Sequence, residues 1–112
     1  MNKPTRFYSK RQENAVAKAL DGKRVSNSGS TPFHKGDVVL TDWLIECKTS
    51  TTQKGSFSIK REWLDKNKEE AFAMGKYHNA LCFDFGPNRE RYYVVSEKDF
   101  AALVQVYRGE EG

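Results

Sequence analysis

Two short apolar runs near the middle of the chain form the clearest pattern of the sequence. Residues 38–40 and residues 43–47 are rich in β-branched and aromatic side chains, and only Thr41 and Asp42 separate them. Runs of this length and composition are typical of β-strands, and a two-residue separation is typical of an antiparallel hairpin. We therefore predict a β-hairpin over residues 38–47.

Three further segments have the composition of β-strands. They are residues 23–25, 80–85 and 92–95. The last two are divided by Gly-Pro-Asn at residues 86–88, which favours a turn. A stretch rich in serine and glycine at residues 26–36 and a polar stretch at residues 49–56 predict loops on either side of the hairpin.

Three other segments space their apolar side chains at the interval of an α-helix. The predicted helices span residues 9–20, 58–74 and 96–107. Ser9 with Gln12 matches the capping-box pattern that marks a helix start. Ser58 stands at the start of the second helix, and Ser96 with Asp99 opens the third.

The resulting order of elements, α-β-β-β-α-β-β-α, predicts an α/β fold of the α+β type. Its centre is a mixed sheet of about five strands, flanked by helices. We expect one domain over residues 1–112, with flexible ends at residues 1–8 and 108–112.

Composition limits the class of protein. Hydrophobic residues make up 38% and charged residues 30% of the 112, as in a soluble globular domain. No apolar run approaches the roughly 18 residues of a membrane span, and the polar, basic start lacks the apolar core of a secretory signal. We expect a cytoplasmic protein without membrane contact. Cys47 and Cys82 lack metal-binding spacing, so reduced core thiols are favoured over a disulfide or structural zinc.

The charge of the chain points weakly to a polyanionic partner. The formal net charge is +4, a balance that suits nucleic acid but also occurs in many proteins that bind none. Basic residues crowd the start of the chain and the segment after the hairpin. They are Lys3, Arg6, Lys10 and Arg11, and then Lys54, Lys60, Arg61, Lys66 and Lys68.

The hairpin carries the most informative charges. With Thr41-Asp42 as its turn, Asp37 lies opposite Glu46, and Lys48 shares their face of the sheet. Opposed like charges destabilise a sheet, and a divalent cation between them offsets the repulsion. The alternative is a solvated surface pair of Glu46 and Lys48, with Asp37 merely starting its strand.

These residues resemble the core motif of the PD-(D/E)XK nuclease superfamily. Asp37 matches the acid on one strand, and Glu46 with Lys48 matches the E-x-K of the next. Gly36 replaces the proline that usually precedes the first acid. The first helix of that superfamily often carries a further acid, and Glu13 is the match here. The resemblance implies a restriction-endonuclease-like fold and a single nuclease domain.

The resemblance also implies the chemistry. Asp37, Glu46, Glu13 and the main-chain carbonyl of Cys47 are the expected ligands of Mg²⁺, for which Mn²⁺ would substitute. Lys48 would stabilise the developing negative charge or orient the attacking water. The expected catalytic residues are thus Glu13, Asp37, Glu46 and Lys48.

Within the superfamily the chain is most similar to the small Holliday junction resolvases, including those encoded by phages and acting in a host cell. This resemblance implies branched DNA as substrate. It also implies a homodimer, because a four-way junction has two strands to cut symmetrically. Tyr92, Tyr93 and the last helix are candidates for the subunit interface.

Several side chains are candidates for contact with DNA phosphates. They are Ser28, Ser30, Lys35, Lys60, Arg61 and Lys66. Turn formation by the two serines and a solvated helix face for the last three cations are equally good interpretations. For His34 a surface or phosphate-contacting role is favoured over metal binding. For Trp63, core packing is favoured over stacking on a base.

Other functions remain open at this point. A nicking, restriction-type or replication-linked nuclease would keep the same residues and act on duplex or flap DNA. A non-catalytic DNA-binding module would keep the fold, although it has no need of an opposed acid pair. A basic scaffold protein would make that pair accidental.

Overall fold

Three helices and five strands follow one another in the computed structural model, which describes residues 4–25 and 37–111. The elements are α1 (Thr5–Leu20), β1 (Lys23–Arg24), β2 (Asp37–Val39), β3 (Trp43–Lys48), α2 (Arg61–Ala73), β4 (His78–Asp84), β5 (Arg91–Val94) and α3 (Glu97–Glu111). The predicted order of elements is confirmed. The protein is α+β, with all five strands in one sheet.

The sheet is mixed, and its strands lie in chain order from β1 to β5. The pairs β1–β2, β2–β3 and β4–β5 are antiparallel, while β3 and β4 are parallel. A parallel pair needs a crossover connection, and α2 is that connection. β3 is therefore a central strand, between β2 and β4.

The hairpin has the predicted register. Asp37 lies opposite Glu46, and Val38 lies opposite Ile45. The main-chain N–H of Leu40 donates to the carbonyl of Trp43 at 2.9 Å and closes the two-residue turn. Since Val38 and Ile45 are buried in the core, a slip by one residue would expose both of them to water.

The two faces of the sheet are covered by different helices. On one face, Val16 of α1 packs against Val38, Ile45, Ala80 and Cys82. On the other face, α2 contacts β3 and β4. The second face carries Asp37, Glu46 and Lys48, because side chains alternate along a strand. The acidic pair consequently lies beneath α2 and not beneath α1.

Helix α1 begins earlier than predicted. It starts at Thr5, after Pro4, whose fixed φ suits the first turn of a helix. Ser9 therefore lies inside the helix, where its hydroxyl donates to the Thr5 carbonyl at 3.2 Å. The capping-box prediction for Ser9 and Gln12 is wrong, because both residues are interior to the helix.

The end of α1 agrees with the prediction. Asp21 has a left-handed conformation with φ of 55°, and the Gly22 N–H donates to the Ala17 carbonyl at 2.8 Å. A Cβ atom on Gly22 would lie 2.9 Å from the Val39 carbonyl oxygen. Glycine is thus needed where the chain leaves α1 and passes the hairpin.

Of the two other predicted helix starts, that of α2 is wrong and that of α3 is correct. Helix α2 begins at Arg61 after an extended Lys60 without a side-chain cap, so the prediction of Ser58 as cap is wrong. Helix α3 begins as predicted, because the Asp99 N–H donates to the Ser96 hydroxyl at 3.1 Å. It continues to Glu111, beyond the predicted end. Within residues 4–25 and 37–111, no helix has the length and apolar character needed to cross a membrane.

Candidate active site at the β2–β3 hairpin

Asp37 is the most unusual residue of the hairpin. Its side chain is only 1% exposed, and neither carboxylate oxygen has a hydrogen-bond partner among the described residues. A buried carboxylate without partners is costly, so native proteins seldom keep one without a reason. Its position follows from β2, which pairs with β1 on one side and with β3 on the other.

The surroundings of Asp37 are strongly acidic. Burial, and after it the negative charges of Glu70, Glu46 and Glu13 in that order of effect, together raise the pKa of Asp37 to about 8. Lys48 opposes them only in part. The negative charges around Asp37 therefore outweigh the positive charge of Lys48, and such an excess of negative charge favours the binding of a cation.

Lys48 is held between a carboxylate and an aromatic ring. Its Nζ lies 2.9 Å from Glu46 Oε2 and 4.2 Å from the centre of the Trp63 ring. Both side chains of the ion pair are largely shielded from solvent, which strengthens their attraction. Trp63 was predicted to pack in the core. It is half-buried at the start of α2 and supports the ammonium group of Lys48.

Glu13 lies on α1, buried, next to the hairpin. Its Oε1 accepts a hydrogen bond from Arg24 Nε at 3.2 Å. Arg24 stands in β1 opposite Val38, which brings its guanidinium to the acidic end of the hairpin. The sequence analysis gave no role to Arg24. The available signal was a basic residue in a predicted strand next to the acidic hairpin.

Gln12 connects α1 to the ends of two strands. Its Nε2 donates to the Lys48 carbonyl at 3.1 Å and to Asp84 Oδ2 at 3.0 Å. Its Oε1 accepts a hydrogen bond from the Thr49 hydroxyl at 2.6 Å. The buried amide thus fixes the main chain at Lys48, and it holds the adjacent Glu13 in place through α1.

Asp84 completes this arrangement, which we call the Gln12 clamp (Gln12, Thr49, Ser50 and Asp84). Asp84 Oδ1 accepts a hydrogen bond from the Gly86 N–H at 3.0 Å, and the Ser50 hydroxyl donates to the Asp84 carbonyl at 3.0 Å. The clamp was not predicted, because its members are far apart in the sequence. Only the polar residue at the end of the apolar run 80–83 was a local signal.

Glu70 is a further acidic residue that sequence reasoning missed. It lies on α2, half-buried, and one of its carboxylate oxygens is fully shielded from solvent. Its spacing of seven residues from Trp63 was the available signal, since that spacing places both on one side of a helix.

The donor set can be tested against a magnesium ion. Over the described part of the chain, no three carboxylate, imidazole or thiol side chains lie close enough together to form a ready-made metal site. Mg²⁺ needs fewer protein ligands, because it keeps several waters and usually takes one or two carboxylates. Asp37 and Glu46 supply two, with the predicted carbonyl ligand Cys47 adjacent in β3. The unpartnered oxygens of Asp37 fit such an ion.

The predicted DNA contacts divide into two groups. Ser28, Ser30, His34 and Lys35 fall within residues 26–36, outside the described residues. The remaining three cations are exposed around the start of α2. They are Lys60, Arg61 and Lys66.

Of these cations, Lys60 has a contact close to the acidic hairpin. Lys60 Nζ is 5.6 Å from the ring centre of Trp63, the ring that also contacts Lys48. Arg61 pairs loosely with Asp65 at 3.6 Å, and both side chains are exposed. Such an exposed pair contributes little to stability, so the guanidinium is free to contact a phosphate.

Comparisons with known proteins do not add to this description. No protein-family model matches the chain, and neither the curated proteins nor the solved structures contain a match.

Proposed function

We propose that the protein is a Mg²⁺-dependent DNA endonuclease of the PD-(D/E)XK superfamily, with a restriction-endonuclease-like fold. The observation that carries the proposal is the buried carboxylate of Asp37, which lies opposite Glu46 and has no hydrogen-bond partner among the described residues. A cation between these two residues compensates the repulsion and satisfies the oxygens of Asp37. Lys48 on the same face completes the D…E-x-K set.

Each residue of the site then has a role in phosphodiester hydrolysis. Asp37 and Glu46 hold the ion, which when bound polarises the phosphate and acidifies water. Lys48 stabilises negative charge on a phosphate oxygen, and the face of Trp63 keeps its ammonium in place. Glu13, paired with Arg24 on the side of the sheet that α1 covers, adds negative charge that acts on Asp37 more weakly than Glu70 and Glu46 do.

The substrate we propose is branched DNA, most specifically a Holliday junction. The exposed Lys60, Arg61 and Lys66 at the start of α2 provide phosphate contacts beside the hairpin. Two cuts on a junction require two active sites, and we propose a homodimer. Its support is the number of apolar and aromatic side chains of α3 and β5 that stay exposed in the single chain. Those of α3 are Phe100, Leu103, Val106 and Tyr107, and those of β5 are Tyr92 and Tyr93, which lie on opposite faces of the sheet.

The test is a cleavage assay on labelled four-way junction, duplex, flap and single-stranded DNA, each with Mg²⁺ and with EDTA. We expect paired, symmetric nicks on the junction, and none in EDTA. Glu46→Gln should lower the rate by at least roughly 100-fold, because a bound metal contributes several kcal/mol to such a reaction. Glu69→Gln makes the same charge change at an exposed position of α2 and should cleave normally.

The outcomes separate the alternatives. Cleavage of duplex or flap DNA in preference to the junction would retain the nuclease and replace the resolvase by a nicking or restriction-type enzyme. Binding of DNA without cleavage in Mg²⁺ or Mn²⁺ would contradict catalysis and favour a non-catalytic DNA-binding module.

A further inference from the structure

Helix α2 presents two different sets of side chains to the sheet. Asn67 is fully buried and accepts a hydrogen bond from Asn79 of β4 at 2.7 Å. Trp63 instead contacts Lys48 of β3. One side of α2 thus faces β4, and the adjacent side faces β3.

Glu70 belongs to the side that faces β3. It follows Trp63 by seven residues, which is nearly two full helical turns. At 3.6 residues per turn Glu70 lies about 20° from Trp63 around the helix, whereas Asn67 and Ala71 lie about 40° and 80° from Trp63 in the other direction, and both are buried. Glu70 is therefore directed toward the hairpin, with one oxygen shielded from solvent.

The electrostatics agree with this placement. Among the charged groups that raise the pKa of Asp37, Glu70 has the largest effect, ahead of Glu46 directly opposite. Asp37 itself is 1% exposed and has two oxygens without hydrogen-bond partners among the described residues. The alternation of side chains along β2 thus places Asp37 on the face of the sheet that α2 covers, the side toward which Glu70 is directed.

The spacing of the acids indicates how Glu70 acts. No three such side chains in residues 4–25 and 37–111 are close enough to share one metal ion as direct ligands. Mg²⁺ retains several waters, and these waters need hydrogen-bond acceptors around the ion. A carboxylate just beyond the direct ligands is the strongest acceptor for them.

We propose that Glu70 is a positioning residue of the cation site, whose carboxylate accepts hydrogen bonds from the waters of a divalent cation held by Asp37 and Glu46. This inference rests on the proposed function, because it presupposes that cation. It adds α2 to the elements that build the site. In this proposal α2 has two roles: side chains at its start contact phosphate, and Glu70 in its last turns accepts hydrogen bonds from waters of the cation.

The test measures Mn²⁺ binding to the DNA-free protein by electron paramagnetic resonance of the free ion. Glu70→Gln should weaken binding roughly 10-fold, the usual effect of losing a group that orients a metal site from outside its direct ligands. Glu69→Gln, the exposed neighbour, should bind as the wild type does, and Glu46→Gln should lose binding.

A second variant separates positioning from folding. Glu70→Asp keeps the charge and should bind Mn²⁺ more tightly than Glu70→Gln, whereas a purely structural role would make the two variants equally defective. Thermal unfolding in EDTA identifies any variant that fails to fold. If Glu70→Gln alone fails to fold, the decision rests on Glu70→Asp. Normal Mn²⁺ affinity of that variant would support the role of the carboxylate, and loss of Mn²⁺ affinity would overturn it.

The failure of this inference differs from the failure of the proposed function. Wild-type affinity in a folded Glu70→Gln protein, with binding lost in Glu46→Gln, would overturn the role of Glu70 and leave the nuclease intact. An absence of Mn²⁺ binding in the wild type would overturn both.

Discussion

Asp37 and Asp84 are both buried aspartates at ends of strands, but their surroundings differ. Asp84 is 7% exposed and accepts hydrogen bonds from Gln12 and from the Gly86 N–H. Asp37 is 1% exposed, accepts none within the described part of the chain, and is surrounded by three glutamates. One carboxylate is stabilised by protein donors, while the other is the one for which we propose a cation as partner.

This difference gives the two carboxylates opposite effects on the stability of the fold. Asp84 lowers the free energy of the fold because donors compensate the loss of its hydration. Asp37 raises it, since burial and like charges both disfavour the ionised form. The Gln12 clamp connects the surroundings of Asp84 to the hairpin that carries Asp37, because Gln12 also bonds the Lys48 carbonyl. The hydrogen bonds around Asp84 therefore help to hold the hairpin in position.

The largest expected effect is the loss of the satisfied carboxylate. Asp84→Ala removes the acceptor of the Gly86 N–H and one of the two acceptors of the Gln12 amide in a buried place, while the Lys48 carbonyl remains. We expect the free energy of unfolding to fall by roughly 2–4 kcal/mol, from two unsatisfied donors. Urea unfolding in EDTA at pH 7 measures it. Asp65→Ala, an exposed control, should change it by less than about 0.5 kcal/mol. Equal effects would mean that the clamp does not stabilise the fold.

Removing the charge of Asp37 is expected to raise the free energy of unfolding, the opposite of the effect at Asp84. Its pKa rises from the ordinary 3.8 to about 8 on folding, so between these values the folded state keeps a proton that the unfolded state has released. Stability should therefore decrease as the pH rises from about 4 to 8. Glu70, Glu46 and Glu13 strengthen this dependence, and Lys48 weakens it.

Asp37→Asn removes the ionisable group and should flatten this pH dependence. At pH 9 in EDTA the variant should be more stable than the wild type by about 1–3 kcal/mol, as expected for the removal of an uncompensated buried charge. Urea unfolding at pH 5, 7 and 9 measures it, with Asp42→Asn in the exposed turn as control. A parallel pH dependence in wild type and variant would show that Asp37 is not the responsible group.

The smallest effect concerns the contact of Lys48 with Trp63. The ammonium lies 4.2 Å from the ring centre, and such a contact contributes about 0.5–1 kcal/mol when partly exposed. A double-mutant cycle with Lys48→Met and Trp63→Leu should give a coupling of that size in urea unfolding. Lys60→Met in place of Lys48→Met is the control, because its ammonium is farther from the ring, at 5.6 Å. Equal couplings would indicate no specific support for Lys48.

Local patterns were sufficient for the hairpin. Side chains alternate along a strand, and the turn has two residues, so Val38 and Ile45 face the core only in one register. That register brings Asp37 opposite Glu46. The same reasoning failed at Gln12, whose capping-box pattern was present but whose amide instead bonds Lys48 and Asp84 across the fold.

The sequence by itself determined the order of elements, the hairpin register and the common face of Asp37, Glu46 and Lys48, because these depend on periodicity and on near neighbours. The tertiary structure alone decided that Asp37 is buried without a hydrogen-bond partner among the described residues, that Gln12 and Asp84 form a clamp, and that α2 covers the face that carries the acids of the hairpin. Those features depend on how α1 and α2 pack on opposite faces of the sheet. Contacts between residues distant along the chain leave no local pattern from which to predict them.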